Sequence, residues 1–282
     1  MLSLPPILEE SSEFAALTLM ALVQGLTEFL PVSSSGHLVL TQIALGYEEP
    51  AMALDVALHV GTLLAVVLFY RSDLLALAKQ GLAGDFREIG LLGLATLPTA
   101  VVGVLFKDAI EGIFHDAKFA SLGLIMTAMI LLAGERARRM LVASGAAEPG
   151  ESEEAEHAPS SISWRQAFAI GCAQTVAILP GISRSGSTIA AGLMLGVPPA
   201  QAARFSFLIS IPVILGAAVL NLPDAIESGM GGGAGQVLWA VLFAGFIGWG
   251  ALRMLLSFLG RGAFAWFSIY CTALGVGSLL FL

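Results

Sequence analysis

Three shortages in this 282-residue chain narrow its class before any motif is considered. Charged side chains make up only 12% of the residues, against about 25% in a soluble domain, while apolar side chains reach 57%. Lysine and arginine number 13 against 21 acidic residues, too few for the dense basic patch that nucleic-acid phosphates require. The only two cysteines, Cys172 and Cys271, lie in apolar runs and support neither a disulfide framework nor a cysteine-based metal site. An integral membrane protein is the class that remains.

The start of the chain also lacks positive charge. No lysine or arginine precedes Arg71, whereas a cleaved signal peptide begins with a positively charged segment. We therefore expect the first hydrophobic stretch to belong to the mature protein.

Six apolar runs have about the length that a membrane-spanning helix requires, roughly 17 to 25 residues. They cover about 51–70, 88–106, 119–134, 204–222, 236–253 and 264–282. Four shorter runs form two pairs, each interrupted by Pro, Ser and Gly residues; they cover about 14–30, 38–46, 166–180 and 187–197. Each pair predicts a re-entrant hairpin, because irregular backbone at membrane depth is tolerated only inside protein or beside a water-filled cavity.

Basic residues concentrate in alternate loops, and such loops are retained on the cytoplasmic side. These residues are Arg71, Lys79, Arg87, Arg136, Arg138, Arg139, Arg165, Arg253 and Arg261. With six spans, both termini then fall outside, the first hairpin enters from the outer face and the second from the cytoplasmic face. Arg204 lies near a span end, and we expect its side chain to extend to the membrane interface.

An offset of 150 residues relates two parts of the chain. It carries Gln24 onto Gln174 and the segment 33–36 onto 183–186. Each half then has one hairpin and three spans, so the two halves have opposite orientations in the membrane. The sequence thus predicts an all-α integral membrane protein with six transmembrane helices and two re-entrant helical hairpins in an inverted-topology repeat. Residues 1–142 form the first repeat, 143–163 a cytoplasmic linker and 164–282 the second repeat.

The break in the first hairpin combines a carboxylate, three hydroxyls, a glycine and a histidine. They are Glu28, Ser33, Ser34, Ser35, Gly36 and His37. A helix that begins here offers free N–H groups, a glycine and serine side chains to an anion. Glu28 shares a helix face with Gln24 and adds a candidate base, and His37 can exchange protons near neutral pH.

The break in the second hairpin has the same hydroxyl-rich helix start with an arginine in it. Its residues are Ser183, Arg184, Ser185, Gly186, Ser187 and Thr188. The guanidinium fork of Arg184 fits phosphate oxygens, so two such breaks that meet would surround one multiply charged anion. Ionisable residues within the membrane favour a functional site over simple packing. Asp55 and His59, in the first span, either line the same cavity or pair with each other.

Both breaks resemble the signature motifs of the bacterial undecaprenyl-diphosphate phosphatases linked to bacitracin resistance, and the resemblance covers nearly the whole chain. It implies hydrolysis of a C55 lipid diphosphate to the monophosphate carrier of peptidoglycan synthesis, in the bacterial plasma membrane. Because the first hairpin is predicted to enter from the outside, we expect the site to face the outer, periplasmic side, although the inverted repeat also permits access from the opposite side. The resemblance also implies that Ser34 is the nucleophile, Glu28 and His37 the acid–base pair and Arg184 the diphosphate ligand. The implied substrate-binding residues are Gln24, Ser33, Ser35, Gly36, Ser183, Ser185, Gly186 and Thr188.

The resemblance further implies a divalent cation, Mg²⁺, with Glu28 as its ligand. Gln24 stands where the family has Glu or Gln, so this chain has one carboxylate where some members have two. His59 stands at a position where we expect Gln in the family, and this leaves its role open. The expected partners are the polyprenyl diphosphate, membrane lipids and bacitracin, which competes for the substrate; the sequence is compatible with a homodimer and leaves the oligomeric state open.

Several alternatives stay open at this stage. Attack by Ser34 through a phosphoserine and direct attack by water both fit the sequence. A type 2 phosphatidic acid phosphatase needs a second histidine after the Ser-Arg pair, and residues 185–197 contain none. A lipid-phosphate transporter or flippase would need the same anion cradle but no nucleophile, and a dual role in hydrolysis and lipid return is also compatible with the sequence.

Overall fold

A computed structural model describes residues 6–47, 51–114, 116–145, 161–228, 233–259 and 264–282. Within these ranges the chain forms helices and no β-strand, which confirms the all-α class. The helices are α1 (Pro6–Phe29), α2 (Ser34–Ala44), α3 (Met52–Phe69), α4 (Arg71–Leu82), α5 (Arg87–Leu105), α6 (Lys107–Ile113), α7 (Ala117–Ala143), α8 (Trp164–Val176), α9 (Arg184–Met194), α10 (Pro199–Ser228), α11 (Ala234–Leu259) and α12 (Phe264–Phe281).

Six of the described helices are long and apolar enough to cross a membrane, which confirms the six predicted spans. They are α3, α5, α7, α10, α11 and α12. Helix α7 extends well past the apolar run, because good helix formers such as Glu135 and Arg136 continue it to Ala143. Two further helices, α4 and α6, lie between spans where the hydropathy pattern predicts only connections. The chain is a multi-pass membrane protein.

The two predicted breaks occur between α1 and α2 and between α8 and α9. Ser33 and Ser183 are the N-caps that begin α2 and α9, and each side chain accepts a hydrogen bond from the backbone N–H of the glycine three residues later. These caps explain why both helices start where they do, since a serine oxygen satisfies an N–H that has no partner inside the helix. The re-entrant course of the two hairpins and the inverted repeat stay predictions.

Contacts between helices cross from one predicted half to the other. Helix α1 packs mainly on α11, and its counterpart α8 packs on α5. Helix α3 lies against α10 and α11, and α7 lies against α9 and α12. Residues 146–160, most of the predicted linker, lie outside the described residues, so the predicted domain boundaries also stay predictions.

The two breaks touch each other through glycines. A methyl group on Gly36 would lie 2.8 Å from the Cα atom of Gly181, and one on Gly181 would overlap the carbonyl oxygen of Ala120. Gly181 also has a φ of +83°, which side chains other than glycine rarely adopt. The absence of side chains at these two positions therefore lets the start of α2 approach the second break, and lets the second break approach α7.

The expectation for Arg204 is wrong. Its side chain does not extend to an interface but is buried, 6% exposed, and its Nε atom donates to Asp73 Oδ1 at 2.6 Å. Its Nη1 atom donates to Glu88 Oε1 at 3.3 Å. The carboxylates that bind Arg204 belong to α4 and α5. The hydropathy of the residues around Arg204 in the chain therefore could not indicate that these partners exist.

Candidate active site

Glu28, at the end of α1, is the centre of the polar cluster between the two breaks. The residue is 7% exposed. Its Oε1 atom accepts a hydrogen bond from Arg184 Nη2 at 2.8 Å, and its Oε2 atom accepts one from Ser34 Oγ at 2.7 Å. Gln24 Nε2 also donates to Oε2, at 3.2 Å, and His59 Nε2 lies 3.5 Å from the same oxygen. The sequence-predicted residues Gln24, Glu28, Ser34 and Arg184 are thus brought together.

Arg184 is the first residue of α9, so its side chain extends from a helix start towards the other hairpin. Besides Glu28, it contacts the backbone carbonyl of Ser206 on α10, to which its Nη1 atom donates at 3.4 Å. The guanidinium is therefore fixed by two helices of different halves. Such a planar group, held in place, binds two oxygens of a phosphate in parallel.

The hydroxyls at the start of α2 face each other. The Oγ atoms of Ser33 and Ser35 lie 3.2 Å apart, and the N–H of Gly36 donates to Ser33 Oγ at 3.3 Å. Ser33 has a φ of 72°, an uncommon conformation for a residue other than glycine. Strained backbone of this kind concentrates at functional sites.

The start of α9 repeats this arrangement. Ser183 and Ser185 have their Oγ atoms 3.3 Å apart, and the N–H of Gly186 donates to Ser183 Oγ at 3.0 Å. Ser185 Oγ also donates to the carbonyl of Leu30 at 3.3 Å, which joins this helix start to the first break. Thr188 lies one turn further on, where its hydroxyl is bound to helix backbone and to Ser206.

His37 lies on another side of α2. Its Nδ1 atom is 2.7 Å from the carbonyl oxygen of Ser33, and because a carbonyl only accepts, Nδ1 carries the proton. Its Nε2 atom is 2.8 Å from the hydroxyl of Tyr270, and the two rings are stacked. Among the described residues, these two are its hydrogen-bond partners, so the structure does not bring His37 into contact with Glu28 or Ser34. Its role as an acid or base stays a prediction.

The sequence predicts that Asp55 and His59 either both line the cavity or pair with each other, and the structure shows neither arrangement in full. The carboxylate of Asp55 accepts two hydrogen bonds from Gln42 Nε2, at 2.9 and 3.0 Å. His59 donates through Nδ1 to the backbone carbonyl of Asp55 at 2.7 Å, which leaves Nε2 facing Glu28. His59 therefore joins the cluster, while Asp55 fixes the α2–α3 connection.

The residues around Glu28 fit a divalent cation that is shared with a phosphate ligand. Gln24 Oε1 is buried, and no hydrogen-bond partner for it exists in the described part of the chain. A carboxylate and this amide oxygen are the hard oxygen ligands that Mg²⁺ prefers, and Mg²⁺ in phosphate sites takes its other ligands from the substrate and water. The described residues contain no group of three or more His, Cys, Asp or Glu side chains that could hold a metal alone.

Three hydroxyl residues beside the predicted site residues were not themselves predicted to belong to the site. Thr62 on α3 accepts from Gln24 Nε2 at 3.3 Å, and Ser206 on α10 contacts both Arg184 and Thr188. Thr127 on α7 donates to the carbonyl of Gly181 and accepts from the N–H of Ser183, each at 2.8 Å. Single hydroxyls inside apolar spans are common, and only their neighbours in space distinguish these three.

Comparisons with known proteins identify a family and relatives that match over most of the chain. The family model described as bacitracin resistance protein BacA matches residues 17–277. An undecaprenyl-diphosphatase of Rubrobacter xylanophilus is 39% identical and the match covers 96% of this chain and 99% of that protein. An undecaprenyl-diphosphatase of Desulfosudis oleivorans is 40% identical, and the match covers 91% of this chain and 94% of that protein. An undecaprenyl-diphosphatase of Elusimicrobium minutum is 38% identical, and the match covers 92% of this chain and 94% of that protein.

A match of this length includes both breaks, five of the six apolar helices in full and most of α12, and so it covers every residue of the cluster around Glu28. The identity to full-length relatives shows that the likeness is not confined to the two short motifs. The chain therefore belongs to the BacA family of bacitracin resistance proteins.

Proposed function

We propose that this protein hydrolyses undecaprenyl diphosphate to undecaprenyl phosphate and phosphate. The observation that carries the proposal is the contact of Ser34 and Arg184 with the two oxygens of Glu28, in a chain whose relatives are named undecaprenyl-diphosphatases. A hydroxyl, a carboxylate and a guanidinium supply a nucleophile, a base and a phosphate ligand. The product is the lipid carrier that peptidoglycan synthesis reuses. Bacitracin competes for the diphosphate, so this turnover confers resistance.

The diphosphate binds between the two helix starts. Arg184 holds its oxygens by charge and paired hydrogen bonds, and the N-terminal ends of α2 and α9 favour its negative charge. The hydroxyls of Ser33, Ser35 and Ser185 add donors on both sides. In phosphoryl transfer, positioning and charge stabilisation of this kind account for most of the rate enhancement.

In the chemical step, Ser34 Oγ attacks the terminal phosphorus while Glu28 accepts the hydroxyl proton. The 2.7 Å distance between Ser34 Oγ and Glu28 Oε2 is within the range that a general base requires. A bond forms between Oγ and phosphorus, the bond from phosphorus to the bridging oxygen breaks, and undecaprenyl phosphate leaves. A water oxygen then attacks the phosphorus of the phosphoserine and the bond between Oγ and phosphorus breaks. Glu28 returns its proton to Oγ, and the protons of the water leave with the inorganic phosphate.

The proposed cofactor is a divalent cation, Mg²⁺. Glu28 and Gln24 would hold it together with oxygens of the diphosphate. When bound, it supplies positive charge that offsets the charge of the phosphate oxygens. The protein's own contribution is to keep the carboxylate of Glu28 between that charge and Arg184.

The protein resides in the bacterial inner membrane with the reaction centre open to the periplasmic side. The basic loops, which alternate along the chain as the positive-inside rule requires, support this orientation. The packing of α1 on α11 and of α8 on α5 is compatible with an inverted repeat of the two halves. On this arrangement, the prenyl chain stays in lipid while the diphosphate enters between the hairpins.

Phosphate release from undecaprenyl diphosphate by purified protein in detergent tests the proposal. Wild-type protein releases phosphate, and Glu28→Gln and Arg184→Ala do not. Ser34→Ala is measured in the same assay. Its matched control is Ser257→Ala, which removes an exposed hydroxyl on α11. Folded wild-type protein that binds the lipid diphosphate but releases no phosphate would overturn the proposal and favour a lipid-phosphate transporter.

A further inference from the structure

A cleft of about 310 Å³ lies beside His37, between the first hairpin and α12. Its volume is within the roughly 300–1,000 Å³ of small-molecule sites. Most of the lining is apolar, and it includes Leu19 on α1, His37, Leu40 and Ala44 on α2, and Tyr270 and Leu274 on α12.

One face of α2 forms the length of this cleft. His37, Leu40 and Ala44 are spaced by three and four residues, so they follow one another along the helix surface. From His37 to Ala44 the helix advances about 10 Å. The opposite face of α2 is committed to the protein core, where Leu38 packs with Met20 of α1.

His37 places the cleft one helical turn from Ser33, at the start of α2, where the proposed reaction centre lies. His37 donates through Nδ1 to the carbonyl oxygen of Ser33, the residue that caps α2. Ser34, which follows Ser33 in the chain, donates to Glu28. The other ring nitrogen of His37 is bound to Tyr270. The pair of stacked rings, 5.6 Å between centroids, therefore forms a wall that joins the polar helix start to the apolar cleft.

The far side of the cleft is open to the surroundings of the protein. Leu19 is 42% exposed, Leu45 39% and Tyr270 46%. A long chain that enters the cleft at His37 therefore has an open, apolar path out of the protein past Leu19 and Leu45.

We propose that this cleft binds the first isoprene units of the lipid diphosphate, those closest to the phosphate. The proposal rests on the proposed function, because it is the diphosphate between the helix starts that places the chain beside His37. An apolar chain without a rigid shape fits a lining of Leu and Ala side chains, and the aromatic wall of Tyr270 suits flat, unsaturated isoprene units. Binding there aligns the terminal phosphorus with Ser34 for every substrate that carries such a chain.

Kinetics with substrates of three lengths test this. In Ala44→Trp, which fills the cleft from an exposed position, we expect KM for undecaprenyl and farnesyl diphosphate to rise about tenfold or more with kcat within about twofold. For dimethylallyl diphosphate, a single isoprene unit that does not reach Ala44, KM changes by less than about twofold. The matched control is Ala100→Trp, an exposed alanine on α5 outside the cleft, and it leaves all three KM values unchanged. Equal effects of Ala44→Trp on long and short substrates, or no effect at all, would overturn the proposal.

A second measurement does not depend on turnover. A prenyl diphosphate with a photoreactive diazirine in its second isoprene unit is irradiated with wild-type protein, and the labelled residues are mapped by mass spectrometry. We expect labels on residues 37–45 and 270–274 that excess undecaprenyl diphosphate removes and excess phospholipid does not. Labels elsewhere, or labels that phospholipid removes equally, would mean that the cleft only holds membrane lipid.

The two measurements also separate this proposal from the proposed function. Phosphate release without cleft labelling leaves the phosphatase intact and overturns the chain-binding site. Cleft labelling without phosphate release supports the site and overturns the phosphatase.

Discussion

Glu28 and Arg184 are 156 residues apart in the chain, and their side chains meet at 2.8 Å between the two hairpin breaks. One comes from the end of α1 and the other from the start of α9, so each predicted half supplies one charge of the pair. Both are largely buried: the Glu28 side chain is 6% exposed and that of Arg184 14%. Because a buried charge is costly without its partner, this pair ties the assembly of the two hairpins to the formation of the site.

Removal of the Arg184 guanidinium should abolish turnover. We expect Arg184→Ala to lower kcat/KM by about 10³-fold or more, the range found for arginines that stabilise phosphoryl transfer. Arg184→Lys keeps the charge but loses the planar fork, and should recover only part of the rate. Steady-state phosphate release measures both. An Arg184→Lys variant with full activity would show that charge alone suffices and would contradict the paired hydrogen bonds assigned here.

Ser34 distinguishes covalent from direct attack. If its Oγ attacks phosphorus, Ser34→Ala lowers kcat by at least about 10³-fold, while Ser257→Ala on the exposed surface of α11 has no effect. Rapid acid quench of a reaction with lipid labelled at the terminal phosphate should trap label on Ser34. A Ser34→Ala variant that keeps most of the activity, with no trapped label, would assign the attack to water.

Gln24 should affect the dependence on the divalent cation more than the chemical step. We expect a chelator to remove activity and added Mg²⁺ to restore it. Gln24→Leu lacks the buried amide oxygen, so we expect a higher Mg²⁺ concentration at half-maximal activity and a nearly unchanged maximal rate. Titration of Mg²⁺ against phosphate release checks this, and identical titration curves for wild type and Gln24→Leu would remove Gln24 from the cation site.

The cluster of Asp73, Glu88 and Arg204 should act on stability and not on catalysis. Asp73→Ala leaves Arg204 buried with one of its carboxylates gone, at a cost of about 3 kcal/mol in the free energy of unfolding. The matched control is Arg139→Ala. The Arg139 side chain is 69% exposed where it pairs with Glu135, so its removal should change the free energy of unfolding by no more than about 0.5 kcal/mol. Thermal unfolding in detergent, read beside kcat, checks both; a large loss of kcat in folded Asp73→Ala protein would contradict the structural role.

Much of the fold could be predicted because the membrane imposes lengths and hydropathy that are readable along the chain. The six spans and both breaks follow from apolar length and from Pro, Ser and Gly clusters. Helices α4 and α6 could not be predicted in this way, because a short helix between two spans does not have to cross the membrane and so has no required length or hydropathy. The burial of Arg204 likewise depends on Asp73 and Glu88, which are far from it in the chain.

The residue set around Glu28 was predictable in type but not in detail. An ionisable residue beside a hydroxyl-rich break points to Glu28, Ser34 and Arg184, because ionisable groups are costly within a membrane and occur there mainly at functional sites. The direction in which His37 points was not predictable. Its position at a helix start suggests the reaction centre, yet Tyr270, 233 residues away, binds its outer nitrogen.

The central claim is that Glu28 and Arg184 act together in hydrolysis, and a double-mutant cycle on phosphate release tests it most directly. Wild type, Glu28→Gln, Arg184→Gln and the double variant are compared with undecaprenyl diphosphate and Mg²⁺. We expect rapid release by wild type, near-complete loss in each single variant and no further loss in the double variant, since both residues belong to one unit. Folded wild-type protein that releases no phosphate, or single variants that retain most of the rate, would contradict it.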